Sequence, residues 1–245
     1  MDLKENERID DLEFEDLKII QNTKGFCFGI DSVLLSDFAK NIKKNSTIVD
    51  LGTGTGIISI LLSKKTEAKK IYGIELQEEV CDMASRSVLL NNLQDKIEII
   101  NKNIKNISDT LGINVSDVVV TNPPYKKYGT GLLNEDDSKI ISRHEKECTL
   151  EDVIKQSFKI LKDKGLFYMV HRPDRLVDII YLMRKYKIEP KEIRIVYSNI
   201  KSKAVLVLIK GIKNAGEELK VLSPLYIYNE DGTYTDEVLK IYNKK

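Results

Sequence analysis

No apolar run in this sequence approaches the roughly 20 residues that cross a bilayer, so no membrane span is predicted. The N-terminal stretch "MDLKENERIDDLEFEDLK" is acidic and has no apolar core, which is the pattern of neither a secretory signal nor a transit peptide. Cysteine is scarce: Cys27, Cys81 and Cys148 are odd in number, far apart and without metal-ligand spacing. They fit reduced thiols in a cytoplasmic protein rather than a disulfide framework. With two histidines in the chain and no HExxH or CxxC, a catalytic metal site is not expected. GxSxG is missing too, which sets aside the hydrolases built on a nucleophile elbow. Charge of one sign is also lacking, since the net charge is +1. Residues 1–18 nevertheless carry eight acids against Lys4, Arg8 and Lys18, a balance of −5 that leaves +6 for the rest. Between 155 and 187 nine Lys/Arg stand against three Asp. That stretch permits a basic face for a polyanion, and equally a solvated, lysine-rich helix face.

What is present is alternation. "STIVDLG" (46–52) reads as a strand, "GIISILLSK" (56–64) as a helix, "KKIYGIEL" (69–76) as a strand and "QEEVCDMASRSVLLNN" (77–92) as a helix. "KIEIIN" (96–101) and "VSDVVVTN" (115–122) follow as strands. "LEDVIKQSFKILKDKG" (150–165) reads as a helix with Gly165 as its C-cap. "LFYMVH" (166–171) is then a strand, and "RPDRLVDIIYLMRKY" (172–186) a helix with Pro173 in its first turn. "EIRIVYSN" and "KAVLVLIKGI", separated by "IKS", read as a hairpin. Alternating β and α implies an α/β fold, a parallel sheet covered on both faces, to which the hairpin adds one antiparallel strand. No internal repeat is visible. The longest stretch without periodicity, about 126–148, is long enough to suggest a functional loop.

"VDLGTGTG" (49–56) places Gly52, Gly54 and Gly56 between a strand and a helix. Glycine there permits positive φ and lets a ligand approach the backbone. The spacing GxGxG departs from the dinucleotide fingerprint GxGxxG, because Ile57 stands where its last glycine would be. The loop begins at an acid, Asp50, which repels a pyrophosphate and suits a cationic, amino-acid-bearing ligand. Nineteen residues after Gly56 comes Glu75, at the end of the next strand, where an acid accepts hydrogen bonds from ribose hydroxyls. S-adenosylmethionine combines the ribose, the ammonium and the sulfonium charge.

"VVVTNPPYKKYG" (118–129) runs a strand into two prolines. Neither proline can donate to a ladder, so the strand stops near Thr121 and Asn122 sits on a stiff turn past its carboxyl end. An aromatic amine is a poor nucleophile while its lone pair is delocalised. It becomes more reactive when both N–H bonds are held by acceptors that favour pyramidal geometry. The side-chain carbonyl of Asn122 and the backbone carbonyl of Pro123 are two such acceptors, Pro124 fixes where the latter points, and Tyr125 can stack on a base. A loop nucleotide is easier to place there than a paired one, which must first be flipped out. By itself the motif is equally a proline-stiffened turn with a capping Asn.

The order "DLGTGTG", "GIEL", "NPPY" resembles class I S-adenosylmethionine-dependent methyltransferases acting on planar nitrogens. More closely, the chain resembles the bacterial tRNA(Val) adenine-37 N6-methyltransferase family, of the "methyltransferase small" type. The likeness extends over nearly the whole chain through "GFCFGIDSVLLSDFA" (25–39), "SRHEKECTLEDVI" (142–154), "MVHRPDRL" (169–176) and "SPLYIYNEDGTYTDEV" (223–238). The resemblance implies a Rossmann-like seven-stranded sheet of order 3-2-1-4-5-7-6 with strand 7 antiparallel and helices on both faces. It implies one methyltransferase domain over 1–245, with an N-terminal extension or hairpin (1–30) and a substrate loop (126–148). Asp50, Gly52, Gly54 and Gly56 would line the methionine part of the cofactor and Glu75 would hold its ribose. Asn103 and Ile104 would meet its adenine. Asn122, Pro123 and Tyr125 would hold the target base. Phe28 and Asp31 would close over the cofactor, or else serve as a core aromatic and a helix N-cap. Pro124, Lys126, Arg143, His144, His171 and Arg172 are candidate substrate contacts. The expectation is a monomeric, cytoplasmic enzyme that acts on tRNA without a metal or a membrane.

Two other enzymes use NPPY. A protein-glutamine N5-methyltransferase carries an extra helical domain before the glycine loop, and here 49 residues precede Asp50. A DNA adenine-N6 methyltransferase normally needs a separate target-recognition domain, for which this chain has no room. A non-catalytic RNA-binding module would be expected to have lost Asn122 or a loop glycine.

Overall fold

A computed structural model describes residues 3–24, 29–123 and 148–244. Strands β1 (Glu7–Asp11) and β2 (Lys18–Asn22) form an antiparallel hairpin of their own. It docks on helix α3 (Glu78–Leu90) through both oxygens of Glu7, which accept from the Arg86 guanidinium at 2.8 and 2.5 Å. Ile20 N donates to Ser87 Oγ in the same interface. Arg86 holds the Glu7 carboxyl below its ordinary range. The acidic N-terminal segment is therefore ordered, with paired acids at its interface.

The chain then alternates: α1 (Ile30–Phe38), β3 (Thr47–Leu51), α2 (Ile57–Lys65), β4 (Lys70–Glu75), α3, β5 (Ile97–Asn101), α4 (Ile107–Leu111), β6 (Ser116–Thr121), α5 (Leu150–Ile160), β7 (Leu161–His171), α6 (Leu176–Lys185), β8 (Ile188–Tyr197) and β9 (Ala204–Lys213). It ends with β10 (Lys220–Val221), β11 (Leu225–Tyr226) and α7 (Asp236–Ile241). The sheet runs β10-β8-β9-β7-β6-β3-β4-β5, with β11 also on β8. Numbered along the chain from β3, its seven long strands stand in the order 3-2-1-4-5-7-6, and β9 is antiparallel to both neighbours. The sheet has nine strands rather than seven, because β10 and β11 add two-residue segments to the outer edge of β8.

Successive residues of the central strands feed opposite faces. Ile48, Val118, Val120, Tyr168 and Val170 enter one core, packed by α1 and α2. Val49, Val119, Phe167 and Met169 enter the other, packed by α5 and α6. This is why "VVV" and "FYMV" read as unbroken apolar runs: a central strand covered on both faces has no polar side to show.

One expected helix is shorter than its pattern. A capping box, in which Thr149 and Asp152 bond each other's backbone N–H, starts α5. The helix stops at Ile160, and Leu161 enters β7 opposite Ser116. The chain bulges before Leu166 pairs with Val118, with Lys164 at φ 59°. The buried Lys213 Nζ donates to the carbonyls of Phe158 and Leu161, supplying partners at the helix end that the sequence assigned to a Gly165 cap. Gly165 serves close packing instead, since a Cβ there would lie 2.9 Å from Leu161 Cδ2.

Candidate active site

Strand order decides what meets. β3 lies between β6 and β4, and the chain reverses direction across the sheet at this point. Ligands of open α/β sheets bind outside the carboxyl ends of strands at such a switch. Register brings Leu51 opposite Ile74 on one side and Thr121 on the other. The residues that follow, the glycine loop, Glu75 and Asn122, therefore share one edge. Thr121 Oγ1 donates to Leu51 O at 2.9 Å, tying the end of β6 to the start of the loop.

The loop is built from backbone bonds. Gly52 N and Thr53 N both donate to Ile74 O at 2.9 Å. Gly52, Gly54 and Gly56 have φ of 75°, 59° and 93°, the left-handed region that strains any other residue. Glu75 braces the turn: Oε2 accepts from Gly54 N at 3.1 Å and Oε1 from Gln77 N at 2.9 Å. Each oxygen keeps a further lone pair, so the carboxylate can still receive hydroxyl donors. A Cβ built on Gly54 meets none of the described residues within 4 Å, so the crest of the loop faces away from them. A Cβ on Gly52 would sit 3.9 Å from Ile104 Cδ1, which places that side chain beside the loop. Asn103 caps the short 3-10 turn Ile104–Asn106, its Oδ1 accepting from Lys105 N at 2.9 Å.

The Asp50 carboxylate is fully buried beneath the loop. Oδ2 accepts from Thr53 Oγ1 at 2.6 Å and from Ser59 Oγ at 2.9 Å, while Oδ1 is buried without a hydrogen-bond partner among the described residues. Burial pushes the Asp50 pKa up to about 6 against those hydrogen bonds, and the nearby Glu75 charge adds to the rise. A buried carboxylate oxygen lacking a donor suits a cationic amino group close by. Thr53 and Ser59 went unnoticed in the sequence; the signal was their spacing, three and nine residues after a strand-end acid.

Asn122 is half-buried and Pro123 buried. Asn122 Nδ2 donates to Asp31 Oδ2 at 3.1 Å and to Ser32 Oγ at 3.2 Å. The N-cap of α1 is Gly29 rather than Asp31, and among the described residues Asp31 bonds Asn122 Nδ2 and Ser32 N. His171 ends β7 at the same edge, 1% exposed, with Nδ1 accepting from Arg172 N at 2.8 Å. Burial pushes its pKa down to about 4, so the ring is neutral at pH 7. Arg172 is exposed and pairs with Asp174 at 3.3 Å. Phe28, Pro124, Tyr125, Lys126, Arg143 and His144 lie outside the described residues, as does nearly all of the 126–148 loop.

A left-handed glycine loop at the switch point, an acid ending the next strand, and Asn-Pro after the fourth define the architecture of the class I methyltransferases. The chain belongs to the methyltransferase small domain family, whose model matches residues 29–185. It is 24% identical over 239 residues to the tRNA1(Val) (adenine(37)-N6)-methyltransferase of Porphyromonas gingivalis, covering 95% of this chain and 93% of that one. In fold it resembles a predicted O-methyltransferase from Agrobacterium tumefaciens, with a TM-score of 0.71, 21% identity, and coverage of 87% and 95% of the two chains. M. jannaschii TYW2 in complex with AdoMet gives a TM-score of 0.58 at 15% identity, covering 86% and 88%. Among the described residues no helix is long and apolar enough to cross a membrane.

Proposed function

We propose that this protein is an S-adenosylmethionine-dependent methyltransferase that modifies the N6 of adenine 37 in a tRNA(Val). The observation that carries the reading is the placement of Asn122 and Pro123 at the end of β6, tied through Thr121 to the glycine loop of β3. S-adenosylmethionine supplies an electrophilic methyl group when bound. Gly52, Gly54 and Gly56 would cradle its methionine part, Asp50 would favour its ammonium from beneath, Glu75 would receive its ribose hydroxyls, and Ile104 and Asn103 would flank its adenine. The chain's own contribution to chemistry is to hold the acceptor. The side-chain carbonyl of Asn122 and the backbone carbonyl of Pro123 accept the two N–H bonds of the planar amine, which draws its lone pair out of conjugation. No strong base is required, because positioning and electrostatics lower the barrier. The enzyme works in the cytoplasm as a single methyltransferase domain, and Arg172 contributes to holding the RNA.

The test is to incubate the protein with radiolabelled S-adenosylmethionine and total tRNA from a strain lacking the gene, then identify the labelled nucleoside. N6-methyladenosine confined to one tRNA is expected. Label appearing only in a release factor or in DNA would keep the cofactor and overturn the substrate. Asn122→Ala should abolish transfer and leave cofactor affinity, read by calorimetry, within a few-fold. Loss of cofactor binding instead would remove Asn122 from the amine.

A further inference from the structure

The chemistry proposed for Asn122 depends on which way round its amide sits. Two prolines stiffen the backbone of the turn but not the last torsion of the Asn side chain, which has two broad wells about half a turn apart. In one, the oxygen faces the acceptor amine. In the other, Nδ2 does, and a donor would confront N–H bonds that need acceptors. Something outside the motif has to choose.

The first turn of α1 makes that choice. Asp31 Oδ2 and Ser32 Oγ lie 3.1 and 3.2 Å from Asn122 Nδ2. A carboxylate has no proton to give, so the amide atom facing it has to be the nitrogen. With the amide reversed, two acceptor oxygens would stand against each other at about the same distance. Asp31 and Ser32 are 8% and 4% exposed, so water does little to relieve such a mismatch. The carboxylate is itself held, because its Oδ1 accepts from Ser32 N at 2.9 Å. Gly29 leaves room for it: a Cβ at that position would lie 2.9 Å from Asp31 Oδ1.

We propose that Asp31 and Ser32 are positioning residues that lock the amide of Asn122 with its nitrogen toward α1 and its oxygen toward the target amine. The Asp31 carboxylate also polarises the amide through Nδ2 and makes Oδ1 a stronger acceptor. This assignment rests on the reading of Asn122 as the holder of the amine.

The experiment compares Asp31→Ala, Asp31→Asn, Ser32→Ala and Gly29→Ala with the wild type, using an unmodified tRNA(Val) transcript and radiolabelled S-adenosylmethionine. Asp31→Ala should lower kcat on the order of 10- to 100-fold, the cost of a misplaced reacting group. KM for the transcript and the calorimetric Kd for S-adenosylmethionine should stay within about threefold, since an interaction made only in the transition state lowers kcat alone. Asp31→Asn keeps an acceptor and should recover part of kcat. It also serves, with Ser32→Ala, if Asp31→Ala does not fold. A second readout does not depend on turnover. The Asn122 side-chain amide pair in a 1H–15N spectrum, assigned by its loss in Asn122→Ala, should move in Asp31→Ala and in Gly29→Ala. An unmoved amide signal, an unchanged kcat in Asp31→Ala, or a weakened cofactor Kd with kcat intact would each overturn the assignment. If the wild type transfers nothing to the transcript, the substrate reading falls, and the amide signal still decides whether Asp31 fixes Asn122.

Discussion

Burial of Asp50 should make the free protein lose stability as the pH rises, and an Asp50→Asn variant isolates that loss. The Asp50 pKa is raised by burial from 3.8 to about 6, against the hydrogen bonds from Thr53 and Ser59. Below the unfolded value the group is protonated in both states and its contribution is fully present. That contribution is lost as the pH rises through about 6, because the folded protein then carries a charge with little solvation. Two units at roughly 1.36 kcal/mol each amount to about 3 kcal/mol over the whole window. About 1.4 kcal/mol of it falls between pH 5 and 7.5 by the same linkage. Other carboxyls slope the opposite way, since those of Glu7, Asp82 and Asp117 are held low in the folded state. The quantity to measure is therefore a difference. Urea unfolding of both proteins at pH 5 and 7.5 should show the wild type losing about 1.4 kcal/mol relative to Asp50→Asn across that interval. Parallel profiles would refute the argument. The same linkage acts on the ligand. A bound ammonium pulls the pKa back down, so S-adenosylmethionine binding near pH 6 should release a fraction of a proton. Calorimetry in two buffers of different ionisation enthalpy reads that release, and Asp50→Asn should abolish it.

Two further outcomes test the loop. Glu75→Ala should weaken S-adenosylmethionine binding by roughly 1.5–3 kcal/mol, the scale for hydrogen bonds to a charged group; unchanged affinity would remove Glu75 from the ribose. Glu75→Gln keeps an acceptor for Gly54 N and should hold the melting temperature nearer the wild type while affinity still falls, which separates bracing from contact. Gly54→Ala forces a side chain to φ 59°, at a stability cost of about 1–2 kcal/mol. Because the new methyl group stands in the space above the loop, cofactor affinity should drop by more than the fold does. Equal losses would place the ligand elsewhere.

The central elements were legible because the rules that form them are local. Apolar runs bounded by glycine, the 3.6 periodicity of the helices, a strand stopped by Pro123-Pro124 and a hairpin turning at "IKS" each need only a few neighbouring residues. The site residues that follow strands, the three glycines, Glu75 and Asn122, could be placed on one edge because a parallel sheet puts every strand's carboxyl end on the same side.

What stayed hidden depends on partners far away in the chain. The helix written by "FKILKDK" stops at Ile160 because Lys213 takes up the carbonyls of Phe158 and Leu161, and nothing within 50 residues announces it. The N-terminal stretch read as an extension or hairpin, but what it docks on did not, because Glu7 accepts from Arg86, 79 residues on. The contact of Asp31 with Asn122 could not be read from the sequence, because Asn122 stands 91 residues on. The sequence by itself determined the alternation of strands and helices, the glycine loop after β3 and the stiff turn after β6. Only the tertiary structure decided which buried polar groups face one another. In a low-dielectric interior a hydrogen bond is settled by the few groups that packing brings within about 3 Å, whatever their distance along the chain.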